Sequence, residues 1–141
     1  MILKVKLDTD KGALLPIRKH STDAGADILT PRSFLLPAES SAIIRTGVHV
    51  ELPPNTVGML KSKSGLNIFH DIVGEGVIDE GFDGEIVVKL YNLGKTPYEF
   101  PRGSEIIQLV VMCVHYPEIV QADKIQGGER GSNGYGSTYL H

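Results

Sequence analysis

Within the stretch Gly76-Val77-Ile78-Asp79-Glu80-Gly81-Phe82-Asp83-Gly84-Glu85, a carboxylate follows an apolar pair and an aromatic ring stands three residues further on. Asp79 in that setting can take a proton from water, with Phe82 stacking nearby. A glycine- and aspartate-rich turn closing a hairpin accounts for the same residues. Lys61-Ser62-Lys63-Ser64-Gly65-Leu66 offers two cations, two hydroxyls and a glycine where a short helix can begin, a composition suited to phosphate oxygens. The spacing is not that of a P-loop, and an exposed basic turn reads equally well. Asp23-Ala24-Gly25-Ala26-Asp27 places small residues between acids and on its own reads as a turn. Gln108 interrupts the apolar run Ile106–Val114; on the inner face of a strand its amide would need a partner.

The carboxyl end carries chemistry of another kind. Residues 127–136 hold five glycines, followed by Ser137 and Thr138. Such a segment cannot pack as a strand, and a disordered tail is the plain reading. Arg130 is nevertheless a bidentate anion donor, Tyr135 a flat stacking surface, and the hydroxyls lie beside exposed backbone N–H groups. Together they describe a flap able to close on phosphates and a ring. His20, His49, His70, His115 and His141 are scattered without metal-ligand spacing, so zinc is not expected and each reads as structural or surface.

The elements that must position these groups are short strands. Leu3, Val5 and Leu7 alternate with Lys4 and Lys6, and further strand-like segments cover Ser33–Leu36, Ser41–Glu51, Thr56–Lys61, Gly84–Asn92 and Glu105–Val114. Turn clusters separate them at Asp10–Gly12, Pro37–Ser40, Pro53–Asn55, Asp79–Gly84 and Leu93–Pro97. Strands at this spacing predict an all-β sandwich or barrel with at most one short helix, near Ser64–Asp71. The 16 glycines and 8 prolines in 141 residues exclude a helix bundle. A net charge of −3 gives no support to a nucleic-acid-wrapping surface, and no apolar run approaches the ~18–20 residues of a membrane span. The amino terminus is too short and too alternating for a signal peptide. Cys113, the single cysteine, reads as a buried small hydrophobe in a reducing compartment, so a cytoplasmic or nuclear protein is expected.

Taken in order, five of these stretches resemble the five motifs of the trimeric dUTP pyrophosphatases (dUTPases), from about Asp23 to Thr138. Asp23-Ala24-Gly25-Ala26-Asp27-Ile28 stands where the family typically has AGxDL, and Ser62-Lys63-Ser64-Gly65 where it has PRSG. Gly76 to Gly84 follows GxIDxxYRG, Gly103-Ser104-Glu105-Ile106-Ile107-Gln108 follows GxRIxQ, and Arg130 to Thr138 follows RGxGGFGST. The resemblance implies a jelly-roll core over residues 1–126, an arm over 127–141 closing on a neighbour's site, and a homotrimer with sites at subunit interfaces. It implies Mg²⁺-dependent hydrolysis of dUTP to dUMP and pyrophosphate by water attack at the α-phosphorus, keeping dUTP low and supplying dUMP for thymidylate synthesis.

The roles implied by the resemblance suit the residues. Asp79 would orient and deprotonate water, with Gln108 helping to place it or the phosphates. Asp27 would hold waters of a Mg²⁺ whose direct ligands are phosphates. Lys63, Ser64 and Gly65 would bind the phosphate chain, and Arg130, Gly136, Ser137 and Thr138 would clamp its outer end. Uracil would be read by backbone at Gly76, Val77 and Ile78 and by Val87, with Phe82 against the deoxyribose and Tyr135 stacked above. Lys63, Phe82, Glu105, Asp83 and Tyr135 depart from the usual family residues; Glu105, an anion, is assigned no site role. A dCTP deaminase shares the implied fold but has a further glutamate-bearing motif not found here, and a nucleotide-dependent regulatory binding protein is the reading of another class.

Overall fold

A computed structural model describes residues 1–136. Eleven strands run in chain order: β1 (Lys4–Leu7), β2 (Gly25–Leu29), β3 (Phe34–Leu36), β4 (Ser40–Arg45), β5 (Val48–Glu51), β6 (Thr56–Lys61), β7 (Ile72–Val73), β8 (Glu75–Ile78), β9 (Val87–Asn92), β10 (Tyr98–Phe100) and β11 (Glu105–Cys113). Among the described residues one helix, α1, covers Ser64–His70, and a single 3-10 turn covers Thr9–Lys11. The described residues are therefore mostly β-strand with one short helix.

The strands pair antiparallel in four sheets among the described residues. The largest has the order β2-β11-β6-β8; a second runs β4-β9-β7, and the pairs β1-β5 and β3-β10 complete the set. Among the described residues none of these sheets closes on itself. Alternation drives each strand onto the core: in β9, Val88, Leu90 and Asn92 are buried while Val87, Lys89 and Tyr91 face outward. Ile28, Leu60, Ile78, Ile107 and Leu109 from the four-stranded sheet meet Ile44, Val88 and Leu90 from the three-stranded one in a single apolar cluster. Phe100 is buried at one end of it, stacked on Phe34 at a centroid distance of 4.8 Å.

Four expectations change. The segment Ser41–Glu51 is two strands, because the chain bends at Thr46-Gly47: the Thr46 hydroxyl donates to the Ile86 carbonyl at 2.6 Å, and Gly47 takes φ +68° against the Ala13 side chain. Asp23–Asp27 is not a turn throughout. Its second half enters β2, where alanine and glycine pair with β11 because the facing strand supplies the bulk. The segment Gly76–Glu85 does not close a hairpin. β8 pairs with β6 and β9 with β4 and β7, so Asp79–Ile86 crosses from one sheet to the other, guided by the Ile86 N–H to the Val48 carbonyl at 2.7 Å. Cys113 is exposed at the last pair of β11, opposite Thr56, since alternation has already given way there.

Candidate active site

Register places a polar row across the four-stranded sheet. Gln108 on β11 stands directly opposite Asp27 on β2 and Lys61 on β6, and Lys61 in turn opposes Glu75 on β8. Residues directly opposite one another share a face, so all four project away from the Leu109–Leu60 side that feeds the core. The Lys61 ammonium meets the Glu75 carboxylate at 3.1 Å. Asp27 is almost wholly buried, and its Oδ1 accepts from the Lys63 Nζ at 2.5 Å. Lys63, just before α1, reaches back over the end of β6 to do this.

Gln108, half-buried on the face away from the core, has a partner for its amide: Nε2 donates to the Ser62 carbonyl at 3.0 Å. The Ser62 hydroxyl donates to the Gly74 carbonyl and accepts from the Gly74 N–H, both at 3.0 Å, which ties the β6–α1 turn to the strand beyond the helix. Gly25 makes room for Gln108. A Cβ there would lie 2.3 Å from Gln108 Oε1 and 2.9 Å from its Cβ. The glycine of the first motif is thus a packing requirement of the fourth. Ser64 and Gly65, exposed in the first turn of α1, have no side-chain cap, and a Cβ at Gly65 would point into open space.

Two residues outside the sequence expectations join this cluster. Lys19 forms a salt bridge to Glu105 Oε1, and Glu105 Oε2 lies 3.5 Å from Lys63 Nζ. The bond to Lys19 and the nearby Lys63 charge hold the Glu105 carboxyl below its ordinary range. Glu105 therefore anchors two ammonium groups, a role that its replacement of the family's arginine conceals. Nothing in Arg18-Lys19-His20 signals Lys19, because its partner lies far along the chain.

The second group of expected residues occupies another part of the surface. Asp79 is exposed immediately after β8, and its carbonyl accepts from the Phe82 N–H at 3.1 Å in a turn whose third residue, Gly81, has φ +88°. That geometry is a type II turn, which favours glycine there. The Phe82 ring, half exposed, folds over Gly84, where a Cβ would lie 2.5 Å from its Cζ. Val77 and Val87 are exposed, while Ile78 is buried and offers only backbone to a ligand. A Cβ on Gly76 would lie 2.9 Å from Leu60 Cδ1, so core packing by itself accounts for that glycine.

The chain does not bring its two groups together. β6 pairs Gly58 with Ile78 and Lys61 with Glu75, so Asp79 lies beyond the Val57 end while Lys63 leaves from the Lys61 end. Four strand residues separate those ends by about 13 Å. The carboxyl segment touches neither group in the described residues: Arg130 donates to the Asn133 carbonyl at 3.1 Å, and Tyr135 is fully exposed with φ +54°. Gly136 ends the described chain at φ +77°, and Ser137 and Thr138 lie outside the described residues.

No three His, Cys, Asp or Glu side chains converge on a metal position among the described residues. A single buried carboxylate at Asp27 suits an ion that keeps its waters and takes its other ligands from a bound phosphate chain. Asp27, whose Oδ1 already accepts from Lys63, does not by itself form a protein-only cage for such an ion.

The dUTPase family model matches residues 11–139. The chain belongs to the dUTPase family. It is 39% identical over 134 residues to the deoxyuridine 5'-triphosphate nucleotidohydrolase of Gloeothece citriformis, covering 93% of this chain and 92% of the relative. The enzyme of the same name from Clostridium kluyveri is 36% identical over 132 residues, covering 92% of each. Among solved structures, a mutant Staphylococcus bacteriophage 80alpha dUTPase with dUpNHpp superposes with a TM-score of 0.88 at 29% identity, over 97% of this chain and 98% of that one. A mutant phage phi11 dUTPase, described with a structural Mg(II) ion, gives 0.80 at 27% identity over 90% and 100%. The chain is thus a dUTPase-type hydrolase acting on a nucleoside triphosphate.

Proposed function

We propose that this dUTPase hydrolyses dUTP to dUMP and pyrophosphate by water attack at the α-phosphorus, in sites assembled between copies of the chain. The observation that carries the reading is the division just described. Asp27, Lys63 and Gln108 stand at one end of β6 and Asp79 and Phe82 at the other, so one chain holds two half-sites that a neighbour can complete. A closed homotrimer, with a jelly-roll core in each subunit and the glycine-rich arm laid over a neighbouring site, supplies that completion.

Each residue then acts within its chemistry. Asp79 orients the attacking water and takes its proton. Lys63, released from Asp27 as phosphate replaces the carboxylate, binds the phosphate chain together with Ser64 and Gly65. Mg²⁺, when bound, screens the phosphate charge. Asp27 fits as a holder of its waters. Gln108, fixed through Ser62, positions water or phosphate oxygens. Backbone at Gly76 and Val77 reads uracil, because a narrow slot leaves the reversed donor and acceptor of cytosine unpaired. Phe82 packs against deoxyribose where a 2′-hydroxyl would sit, and Arg130, Tyr135, Gly136, Ser137 and Thr138 close the site. A reducing, cytoplasmic or nuclear setting suits a nucleotide-pool enzyme with one unpaired thiol.

The test is pyrophosphate release from dUTP, dCTP, UTP and dTTP, with and without Mg²⁺. Release from dUTP alone is expected, and equal hydrolysis of all four refutes the selective slot. Asp79→Asn should bind dUTP and lose at least about 100-fold in turnover, as expected when a general base is removed. Near wild-type rates would refute its assignment.

A further inference from the structure

His49 lies on β5 and belongs to none of the five motif stretches. Its half-buried ring faces oxygen on both sides: Nε2 is 2.9 Å from Asp8 Oδ2 and Nδ1 is 2.8 Å from the Asp83 carbonyl oxygen. A peptide carbonyl can only accept a hydrogen bond, and an ionised carboxylate can only accept as well. Both contacts are satisfied together only when both ring nitrogens carry hydrogen. A neutral imidazole has one N–H and must turn a lone pair toward either Asp8 or Asp83.

Asp83 belongs to the crossing from Asp79 to Ile86 that carries the general base. Besides the bonds of Ile86 to Val48 and Thr46 at its end, the crossing is held at three places. The Glu80 carboxylate accepts from the Asn55 N–H at 2.6 Å and from the Tyr116 hydroxyl at 2.8 Å. Glu85 accepts from Arg45 at 2.8 Å and from the Gly47 N–H at 3.1 Å. His49 holds the third, at the carbonyl of Asp83, the residue after Phe82. The bond to Arg45 holds the Glu85 carboxyl below its ordinary range, and the bond to Glu80 pushes the Tyr116 hydroxyl above its own, both away from neutrality. His49 is the tie whose ordinary range lies there.

We infer that His49 is a positioning residue for hydrolysis: as an imidazolium it fixes the Asp79–Ile86 crossing, and loss of its proton slackens that crossing and slows turnover. The inference rests on the reading of Asp79 as the base. The surrounding charges set where the change occurs. Lys6 stands directly opposite His49 across the β1–β5 pair and opposes the cation. Asp8 favours it, Lys11 lies 3.7 Å from Asp8, and Glu85 is engaged by Arg45. The Asp8 bond, followed by the Asp83 carbonyl, raises the His49 value above its usual range, with Lys6 working against them.

Two readouts test this across the neutral-to-alkaline range: turnover on dUTP with Mg²⁺, and amide hydrogen-exchange protection of residues 82–84 alongside the His49 ring proton titration. Wild type should lose about tenfold in both turnover and protection as His49 deprotonates, the loss corresponding to one hydrogen bond. Asp8→Asn should flatten both profiles. The amide it introduces can donate to a neutral ring at Nε2, leaving Nδ1–H for Asp83. His49→Phe should be slow and poorly protected at every pH. The inference is overturned if His49 titrates while protection at 82–84 stays constant, or if the alkaline loss persists unchanged in Asp8→Asn. Absence of dUTP hydrolysis at any pH would instead strike the functional reading, and the exchange profile would still decide the tether.

Discussion

Gly25→Ala isolates the claim that the first motif's glycine exists to admit Gln108. The new methyl would lie 2.3 Å from Gln108 Oε1, 2.9 Å from its Cβ and 3.0 Å from its Cδ. The terminal oxygen can swing away, but the Gln108 Cβ is fixed by the β11 backbone, so rotation alone cannot relieve the contact. Overpacking of this kind costs about 1–3 kcal/mol. Swinging the amide aside also breaks its 3.0 Å bond to the Ser62 carbonyl, worth about 1 kcal/mol net. The sum is about 2–4 kcal/mol. Removing the obstructing side chain should recover most of the steric part, so Gly25→Ala should cost at least about 1 kcal/mol less in a Gln108→Ala background than in wild type. Urea unfolding of the four proteins at one fixed protomer concentration measures this, since an oligomer's stability depends on concentration. Costs that add to within about 0.5 kcal/mol would show that the two residues do not meet, and the account of Gly25 would be refuted.

Other expectations test different parts of the structure. Mixing Asp79→Asn with Lys63→Met subunits, each nearly inactive alone, should restore about a quarter of wild-type activity if a site takes Asp79 from one chain and Lys63 from the next in random trimers; no recovery after subunit exchange would refute shared sites. Gly81→Ala meets no atoms within 4 Å but forces alanine to φ +88°, so stability should fall by about 1–2 kcal/mol from backbone strain, measured by urea unfolding. Glu105 is held below its ordinary range chiefly by Lys19. Below that ordinary value the unfolded carboxyl binds protons that the folded one does not, so stability should fall as pH drops through the folded value; Glu105→Gln should make the acid slope shallower in unfolding measured against pH. Deleting residues 127–141 should leave a folded oligomer by size-exclusion chromatography and thermal melting with activity greatly reduced.

Local pattern carried the strands whose signals are local. Leu3–Leu7, Thr56–Lys61 and Glu105–Val114 alternate or run apolar between turn residues and form strands within a residue of the expected bounds. Ser64–His70 lacks β-branched residues apart from Ile68, and it forms a helix. β2 escaped because Gly25-Ala26-Asp27 has poor strand propensity; its partner β11, eighty residues away, supplies the pairing and bulk that local sequence lacks. The hairpin expected at Gly76–Glu85 failed for the same reason: the turn at Asp79–Phe82 is local, but the partners of the strands on either side are not.

The site divides along the same line. The sequence alone singled out side chains of suitable type for the proposed site, namely the carboxylates of Asp27 and Asp79, the Lys63 cation, the Gln108 amide and the glycine-rich segment, because residue type and order in the chain survive without coordinates. Tertiary structure alone decided that Gln108 faces Asp27 across a strand pair, that Glu105 gathers Lys19 with Lys63, and that His49 reaches the Asp83 carbonyl. These are meetings between residues some 34 to 86 positions apart, fixed by antiparallel register, and a change of one residue in register would turn the side chains to the opposite face.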